Sequence, residues 1–271
     1  PPSRFRLFGG RGAPTSIAGR AGAAEDAWRR RGAAPQGGDA GEAAAVKSRT
    51  AEDKGSSDLL PSLYECVDDP GGAAGEWFRV RQVPGFGNCL FNAIAVGMLH
   101  EQHGRHVAWG PECERLARQL RQAAVVMLSA EDDQPFRING EEWDAGSLLL
   151  EAAEVLNKTP EAYCEWIGRE GVWGGVPEIA VLCNYLRTPI QLYELRCRDG
   201  KFMLERTLDC VPGRRQTATS ASTPPPRPPL RLLFADRRFP RVKPGQHNPR
   251  GGHFLALFPA QGGSGGQGGG L

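Results

Sequence analysis

The sequence lacks three signals that would each place it in a well-defined class of proteins. None of its 7 cysteines belongs to a Cys-x-x-Cys pair, which disfavours a zinc site and a disulfide framework and favours a reducing compartment. No apolar run reaches the roughly 18 residues that a membrane span needs. The net charge is only +2, so the chain as a whole gives no argument for nucleic acid. We expect an intracellular, cytoplasmic protein without metal or organic cofactor, and organelle targeting stays open.

Composition divides the chain into a central domain and two tails. Residues 1–57 are rich in Gly, Ala and Arg, and they carry too few large apolar side chains to offset the entropy of ordering. We predict disorder there, a domain over residues 58–260, and a flexible Gly-rich tail over residues 261–271. Residues 211–229, rich in Pro, Ser, Thr and Arg, form a predicted disordered insertion. Because the first residue is Pro1 rather than Met, we expect a fragment or a processed chain.

Hydrophobic periodicity predicts mostly helices in the first part of the domain and strands in the second, which is typical of an α+β protein. Apolar residues have near-helical spacing at 59–64, and residues 100–110 and 131–140 are predicted loops. Helices are predicted to start at residue 89 and to span 111–127, 142–156, 160–167 and a segment from 177. Strands are predicted over 76–83, 189–195, 202–208, 230–234 and 253–258. On the helix that begins at Pro111, we predict that four residues face water: Arg115, Arg118, Arg121 and Gln122.

Residues 83–98 are the most informative stretch, because a strand ends there in a glycine loop and an apolar helix begins at Cys89. Unpaired backbone N–H groups and the positive end of the helix dipole gather at such a junction. They lower the pKa of a thiol and favour the nucleophilic thiolate, and they can stabilise an oxyanion. The alternative is that Cys89 is a small buried hydrophobe, as most free cysteines are.

A histidine at the start of the last predicted strand completes a possible nucleophilic pair. Cys89 and His253 lie far apart in sequence, an arrangement that a Cys–His pair can take when the fold brings the two together. His247 lies in the preceding loop, where a turn role is the simpler interpretation.

Three further histidines, His100, His103 and His106, have a spacing that resembles a metal cluster. Gly104 interrupts the pattern, and no acidic or cysteine partner stands at zinc-ligand spacing nearby. We therefore do not expect a metal site.

Three separated segments resemble the ovarian-tumour (OTU) family of cysteine proteases. Residues 87–91, Gly-Asn-Cys-Leu-Phe, resemble the family's Asp-Gly-Asn-Cys-Leu-Phe loop. Residues 163–193, with Trp-Gly-Gly at 173–175, resemble its central region, and residues 252–254 resemble its terminal His-aromatic strand. The resemblance covers about residues 76–260. It implies a papain-like α+β fold, with a small sheet flanked by helices, that cleaves ubiquitin or a related modifier from lysine.

The same resemblance implies roles for individual residues. Cys89 would be the nucleophile, and His253 would be its general base. The oxyanion loop would consist of Gly85, Phe86, Gly87 and Asn88. A structural role near the cleft would fall to Trp173, Gly174 and Gly175.

Two departures from the family pattern open a second hypothesis. Phe86 stands where the family has Asp, and Leu255 stands where many members place Asn or Asp to orient the histidine. The candidates for another orienting residue are Asn248, Asp68 and Asp69. Because loss of the orienting group can lower the rate by orders of magnitude, the alternative is a weak or inactive module that binds ubiquitin or another protein.

The remaining expectations concern partners. Residues 213–250 carry nine Arg or Lys against one acid, Asp236, but aromatic residues are not interleaved with them, so we interpret the segment as solvated loop. We expect ubiquitin or a ubiquitin-like modifier and its conjugates as partners, and we expect neither nucleic acid nor a membrane. The protein is expected to be a monomer.

Overall fold

The structure, a computed structural model, describes residues 59–66, 76–85, 87–130, 135–198, 201–213, 227–235 and 252–260. The predicted tails and most of the predicted insertion lie outside these residues. The strands are β1 (Leu59–Glu65), β2 (Trp77–Arg81), β3 (Phe136–Ile138), β4 (Glu141–Trp143), β5 (Ile190–Arg198), β6 (Lys201–Val211), β7 (Leu230–Ala235) and β8 (His253–Pro259). The helices are α1 (Cys89–His103), α2 (Pro111–Ser129), α3 (Ala145–Val155), α4 (Pro160–Ile167) and α5 (Val176–Leu186).

The strands form one sheet in the order β1-β2-β8-β7-β5-β6-β3-β4. Neighbouring strands run antiparallel, except β5 and β7, which run parallel. The last strand in sequence, β8, thus lies between β2 and β7. This placement brings the start of β8 to the region where the chain leaves β2 for α1.

Helices cover the sheet because α1 and α5 are apolar over most of their surface. Helix α1 packs against β7 and β8, and α5 packs against β3, β5 and β6, with α2 packed on both helices. The core side chains of α1, among them Leu90, Phe91 and Ile94, are fully buried. The α+β fold with a sheet flanked by helices is confirmed.

Helix starts follow the predicted capping signals. The Thr159 side chain accepts a hydrogen bond from the N–H of Ala162, and Pro160 occupies the first helical position of α4. Helix α2 likewise begins at Pro111. No described helix is both long and apolar enough to cross a bilayer.

Three secondary-structure predictions are wrong. Residues 59–64, with near-helical spacing, belong to β1, because antiparallel pairing with β2 overrides the local pattern. The predicted loop 131–140 contains β3, which forms a hairpin with β4 through Asn139 and Gly140, both at positive φ. An Asn-Gly pair is a strong signal for such a hairpin turn. The helix predicted over 142–156 consequently begins only at Ala145, where Asp144 caps α3, because residues 141–143 belong to β4.

The predicted loop after residue 100 is also partly wrong, since α1 extends to His103 and ends at the left-handed Gly104. The rings of His100 and His106 pack on each other at 4.4 Å and on Phe258 of β8 at 4.5 Å. Among the described residues, no group of three or more His, Cys, Asp or Glu could hold a metal ion.

Candidate active site

The thiol of Cys89 lies at the first residue of α1, as the sequence predicts. The chain leaves β2 at Arg81 and turns through Gly87, whose φ of 81° is accessible mainly to glycine. Cys89 is only 1% exposed. The site residue is therefore buried beneath the loop that precedes it.

The expected lowering of the Cys89 pKa is wrong. Burial removes water from the thiolate and raises the pKa of Cys89 to about 11. Hydrogen bonds from the N–H groups of Phe254, Leu90 and Cys89 itself favour the thiolate, as does the charge of Arg121, but these effects are smaller than the effect of burial. The thiol is thus neutral at pH 7, and its ionisation needs a base.

The imidazole of His253 contacts the same loop. Its Nε2 lies 3.0 Å from the carbonyl oxygen of Val83. Since a carbonyl oxygen only accepts, Nε2 carries the proton and donates it, and Nδ1 of the neutral ring keeps its lone pair. Burial lowers the pKa of His253, and the bond to Val83 raises it by less. A neutral imidazole with an open Nδ1 is the form of histidine that can accept a proton.

The two sequence-predicted residues converge on the loop between β2 and α1. The backbone N–H of Phe254, the residue next to His253, is among the groups that lower the pKa of the Cys89 thiol, and β8 packs against the helix that Cys89 begins. A Cβ placed on Gly85 would lie 3.5 Å from Cε1 of His253, so the ring rests on the loop backbone. Strand β8 therefore positions the histidine and contacts the cysteine at the same time.

Arg121 is the buried residue beside the loop whose position sequence reasoning missed. It was predicted to face water, but it is 2% exposed. Its Nη1 donates to the Ile167 carbonyl at 2.7 Å. Its Nη2 donates to the carbonyls of Gly87 at 3.0 Å and Val172 at 2.7 Å. The signal was present, because position 121 falls at helical spacing with the buried positions 117, 124 and 128.

The loop before Cys89 also contacts the segment between α4 and α5. The Asn88 Oδ1 accepts from Nη2 of Arg121 at 2.7 Å and from the N–H of Gly171 at 3.2 Å. A Cβ on Gly87 would lie 1.7 Å from the Gly171 carbonyl oxygen, so the two backbones are in direct contact. Only glycine fits at position 87.

The Trp-Gly-Gly segment lies between this contact and α5. A Cβ on Gly174 would come within 2.8 Å of Leu90 Cδ2, and Trp173 packs half-buried against the core. The N–H of Gly175 donates to Glu178 Oε2 at 2.7 Å, and the Tyr163 hydroxyl donates to Oε1 at 2.8 Å. Burial raises the pKa of both Glu178 and Tyr163. The described contacts of this segment are structural.

The structure places the other predicted site residues less fully. Leu255 is 2% exposed and pairs with Leu233 across β7 and β8, so it supplies no polar group to the imidazole. Phe86 and the three candidate orienting residues Asp68, Asp69 and Asn248 lie outside the described residues. The described group that hydrogen-bonds to Nε2 of His253 is the backbone carbonyl of Val83.

A cavity of about 250 Å³ opens beside the loop. Its walls include Gly85 and Asn88 from the loop, Trp109, and the oppositely charged side chains of Arg118 and Glu170. The loop backbone can thus be approached from outside the protein.

Comparison with known proteins shows which of them this chain is similar to. Residues 84–209 match the family described as OTU-like cysteine protease. The chain is 29% identical over 119 residues to OVARIAN TUMOR DOMAIN-containing deubiquitinating enzyme 3 of Arabidopsis thaliana. The match covers 44% of this chain and 46% of that protein. It is 28% identical over 108 residues to Ubiquitin thioesterase OTU1 of Mus musculus, which covers 40% and 24%. The matched stretch spans less than half of either relative.

A search of solved structures finds the Hazara virus OTU bound to ubiquitin, with a TM-score of 0.38 and 17% identity over 68% of this chain and 82% of that chain.

Proposed function

We propose that this OTU-domain protein is a thiol isopeptidase that removes ubiquitin or a related modifier from conjugated lysines. The observation that carries the proposal is the convergence of Cys89 and a neutral His253 on one backbone loop at the start of α1. The names of the two curated relatives, a deubiquitinating enzyme and a ubiquitin thioesterase, support ubiquitin as the modifier.

The reaction begins with both groups neutral. His253 accepts the Cys89 proton at Nδ1, and the thiolate attacks the carbonyl carbon of the modifier's C-terminal glycine. The backbone N–H groups of residues 85–89 stabilise the negative oxygen that forms. The C–N bond to the lysine then breaks, and the imidazolium returns its proton to the leaving amine. Water hydrolyses the resulting thioester and restores the thiol.

The Val83 carbonyl takes the part of the orienting group in this proposal. By accepting the Nε2 proton it holds the ring in the tautomer whose Nδ1 is basic. A buried Leu255 is then compatible with activity, because the orientation of the ring does not depend on a side chain at that position. Asp68, Asp69 and Asn248 are not needed for the proposed chemistry.

The alternative is an OTU-like module that binds ubiquitin or another protein with little or no turnover. The high pKa of Cys89 favours it, because a neutral thiol without a competent base is a poor nucleophile.

A covalent test separates the two functions. The purified chain is mixed with ubiquitin that carries a C-terminal electrophile, beside Cys89→Ala, His253→Ala and, as a matched cysteine control, Cys164→Ala, whose thiol is half-buried away from the loop. We expect an adduct with the wild type and Cys164→Ala, no adduct with Cys89→Ala, and a reaction slowed at least about 100-fold with His253→Ala.

The other outcomes decide between the remaining hypotheses. Absence of an adduct together with measurable ubiquitin binding would support the binding module. Absence of both would exclude ubiquitin and direct the same assay to ubiquitin-like modifiers.

A further inference from the structure

Arg121 connects three segments through a single buried guanidinium. Its acceptors are the carbonyls of Ile167 and Val172, which bracket the turn after α4, and the carbonyl of Gly87 and side chain of Asn88, which precede the nucleophile. The guanidinium carbon also lies 4.2 Å from the centroid of the Phe91 ring, in the first turn of α1. The residue thus contacts both sides of the loop–segment junction described above.

The bond to Gly87 fixes the orientation of the peptide unit just before Cys89. In a planar trans peptide the C=O and the following N–H point in opposite directions. Because the Gly87 oxygen points at Arg121, the N–H of Asn88 points away from it. The Asn88 carbonyl in turn accepts the first helical bond, from the N–H of Asn92 at 2.9 Å. Arg121 therefore determines how this peptide of the loop is presented.

Only arginine can supply this set of contacts. Its planar fork offers several fixed N–H donors, whereas lysine has one small ammonium on a flexible stem. The buried charge is opposed by Glu178 and Glu170, and with a pKa lowered to about 10 by burial it is still protonated at pH 7. Burying a charge is an inefficient way to stabilise a fold, since apolar residues of similar volume often do so better. The fixed geometry is what the arginine adds.

We propose that Arg121 is a positioning residue that holds the oxyanion loop in its reactive orientation through the Gly87 carbonyl and the Asn88 side chain. This inference rests on the proposed isopeptidase function. In this role Arg121 acts through the backbone that would stabilise the negative oxygen, and its described hydrogen bonds go to that loop and to residues 167–172. Replacing the fork while keeping the positive charge, which favours the Cys89 thiolate, should therefore affect the chemical step and leave substrate binding and the thiol largely unchanged.

The test compares Arg121→Lys, which keeps the charge and loses the fork, with Arg115→Lys, an exposed residue on the same helix. Three quantities are measured: kcat and KM for a ubiquitin C-terminal coumarin amide, the pH dependence of Cys89 alkylation by iodoacetamide, and thermal unfolding. For Arg121→Lys we expect kcat to fall about 100-fold, the loss typical of one oxyanion contact, with KM within about twofold and an unchanged alkylation profile. Arg115→Lys should match the wild type.

A structural role predicts a different pattern, in which alkylation and turnover change together or the folded fraction explains the loss of kcat; either result would overturn the inference. An active wild type that Arg121→Lys matches would overturn it alone. A wild type that alkylates at Cys89 but never turns over would overturn the isopeptidase function and this inference with it.

Asn88→Ala provides a second variant in case Arg121→Lys does not fold. It removes the side-chain acceptor of Arg121 from the loop side and leaves the guanidinium and its charge in place. We expect kcat to fall about tenfold, corresponding to one lost hydrogen bond to a charged group, and the double variant to be no slower than the slower single variant. Fully multiplicative losses would contradict a shared action on the loop.

Discussion

The proposed nucleophile and the proposed base are held in place by different means. The loop before Cys89 is fixed by individual side-chain atoms, since Arg121 and Asn88 bind it to residues 167–172 and Gly87 touches Gly171. His253 is placed by the register of β8 against β2 and β7, and within the part of the chain that the structure describes its ring hydrogen-bonds to Val83.

This difference predicts which kinds of substitution the loop before Cys89 and the region around His253 each tolerate. A loop held by a few directed bonds and one close backbone contact should fail when a single atom is added or removed. A histidine placed by main-chain pairing should keep its position when neighbouring side chains change, but its protonation should respond to pH.

The largest effect should come from Gly87→Ala. A methyl group there overlaps the Gly171 oxygen, and the alanine would have to keep the positive φ of residue 87, so the loop must move. We expect activity below detection and a loss of about 4 kcal/mol or more in the free energy of unfolding, measured by ubiquitin-coumarin turnover and urea unfolding. The control is Gly140→Ala, which has the same positive φ and open space around it. Gly140→Ala should lower the free energy of unfolding by only about 1–2 kcal/mol and leave activity unchanged. Equal effects at both positions would contradict the prediction that the loop before Cys89 is unusually sensitive to an added atom.

The second effect concerns the base. With a pKa of about 11 for Cys89, only about one thiol in 10⁴ is ionised at pH 7. Turnover in the wild type should therefore rise with pH over the range in which His253 loses its proton, and then level off. That range lies below pH 6.5, the ordinary pKa of histidine, because burial lowers the pKa of His253. In His253→Ala the rise of turnover with pH should shift toward pH 11, the pKa of the Cys89 thiol. Activity at pH 7 should be reduced about 10²–10⁴-fold. Iodoacetamide alkylation with a midpoint near pH 6 in the wild type would instead indicate a preformed thiolate–imidazolium pair.

A smaller effect should appear at the far end of β8, where Phe258 packs on His106. Burial, followed by the charges of His100, Arg81 and Arg79, lowers the pKa of His106 to about 4. Between pH 6.5 and 4 the unfolded chain binds this proton and the folded chain does not, so stability should fall as the pH drops through this window. Allowing for partial exposure, we expect His106→Gln to flatten the pH dependence by about 1 kcal/mol, and the exposed His103→Gln to leave it unchanged. Thermal unfolding at several pH values provides the measurement.

The smallest effect should come from a helix cap away from both halves. Asp144 accepts from the N–H and the hydroxyl of Ser147 at the start of α3. Asp144→Ala should lower the free energy of unfolding by about 1 kcal/mol and leave kcat and KM unchanged. A loss of kcat in Asp144→Ala would show that the loop before Cys89 is sensitive to general destabilisation of the fold as well as to the loss of its own hydrogen bonds.

Local signals in the sequence predicted the parts of the fold that local interactions determine. Thr159 and Pro160 start α4 as predicted, and His253 stands at the first position of a strand. β1 was missed because its pairing with β2 is a long-range interaction that spacing alone does not show. The hairpin at Asn139 and Gly140 was missed although its turn signal was present.

The candidate site was predictable in its residues and less so in its chemistry. The position of Cys89 at a helix start follows from its glycine loop, but its pKa depends on burial, which only the packed structure shows. Arg121 looked like a solvated charge because arginine usually is one. Its partners are mostly backbone carbonyls, and the sequence alone does not show which carbonyls will meet a buried guanidinium.

The position of β8 in the sheet has a consequence for how the chain comes into being. Its partners include residues near position 80, and the pairing of Val80 with Leu257 spans most of the domain. A chain emerging from the ribosome therefore makes β1 and β2 early, but β2 cannot pair along its second edge until β8 has been synthesised. Such a high contact order favours slow folding. The same strand carries His253, so a nascent or truncated chain that stops short of it has the thiol without its proposed base.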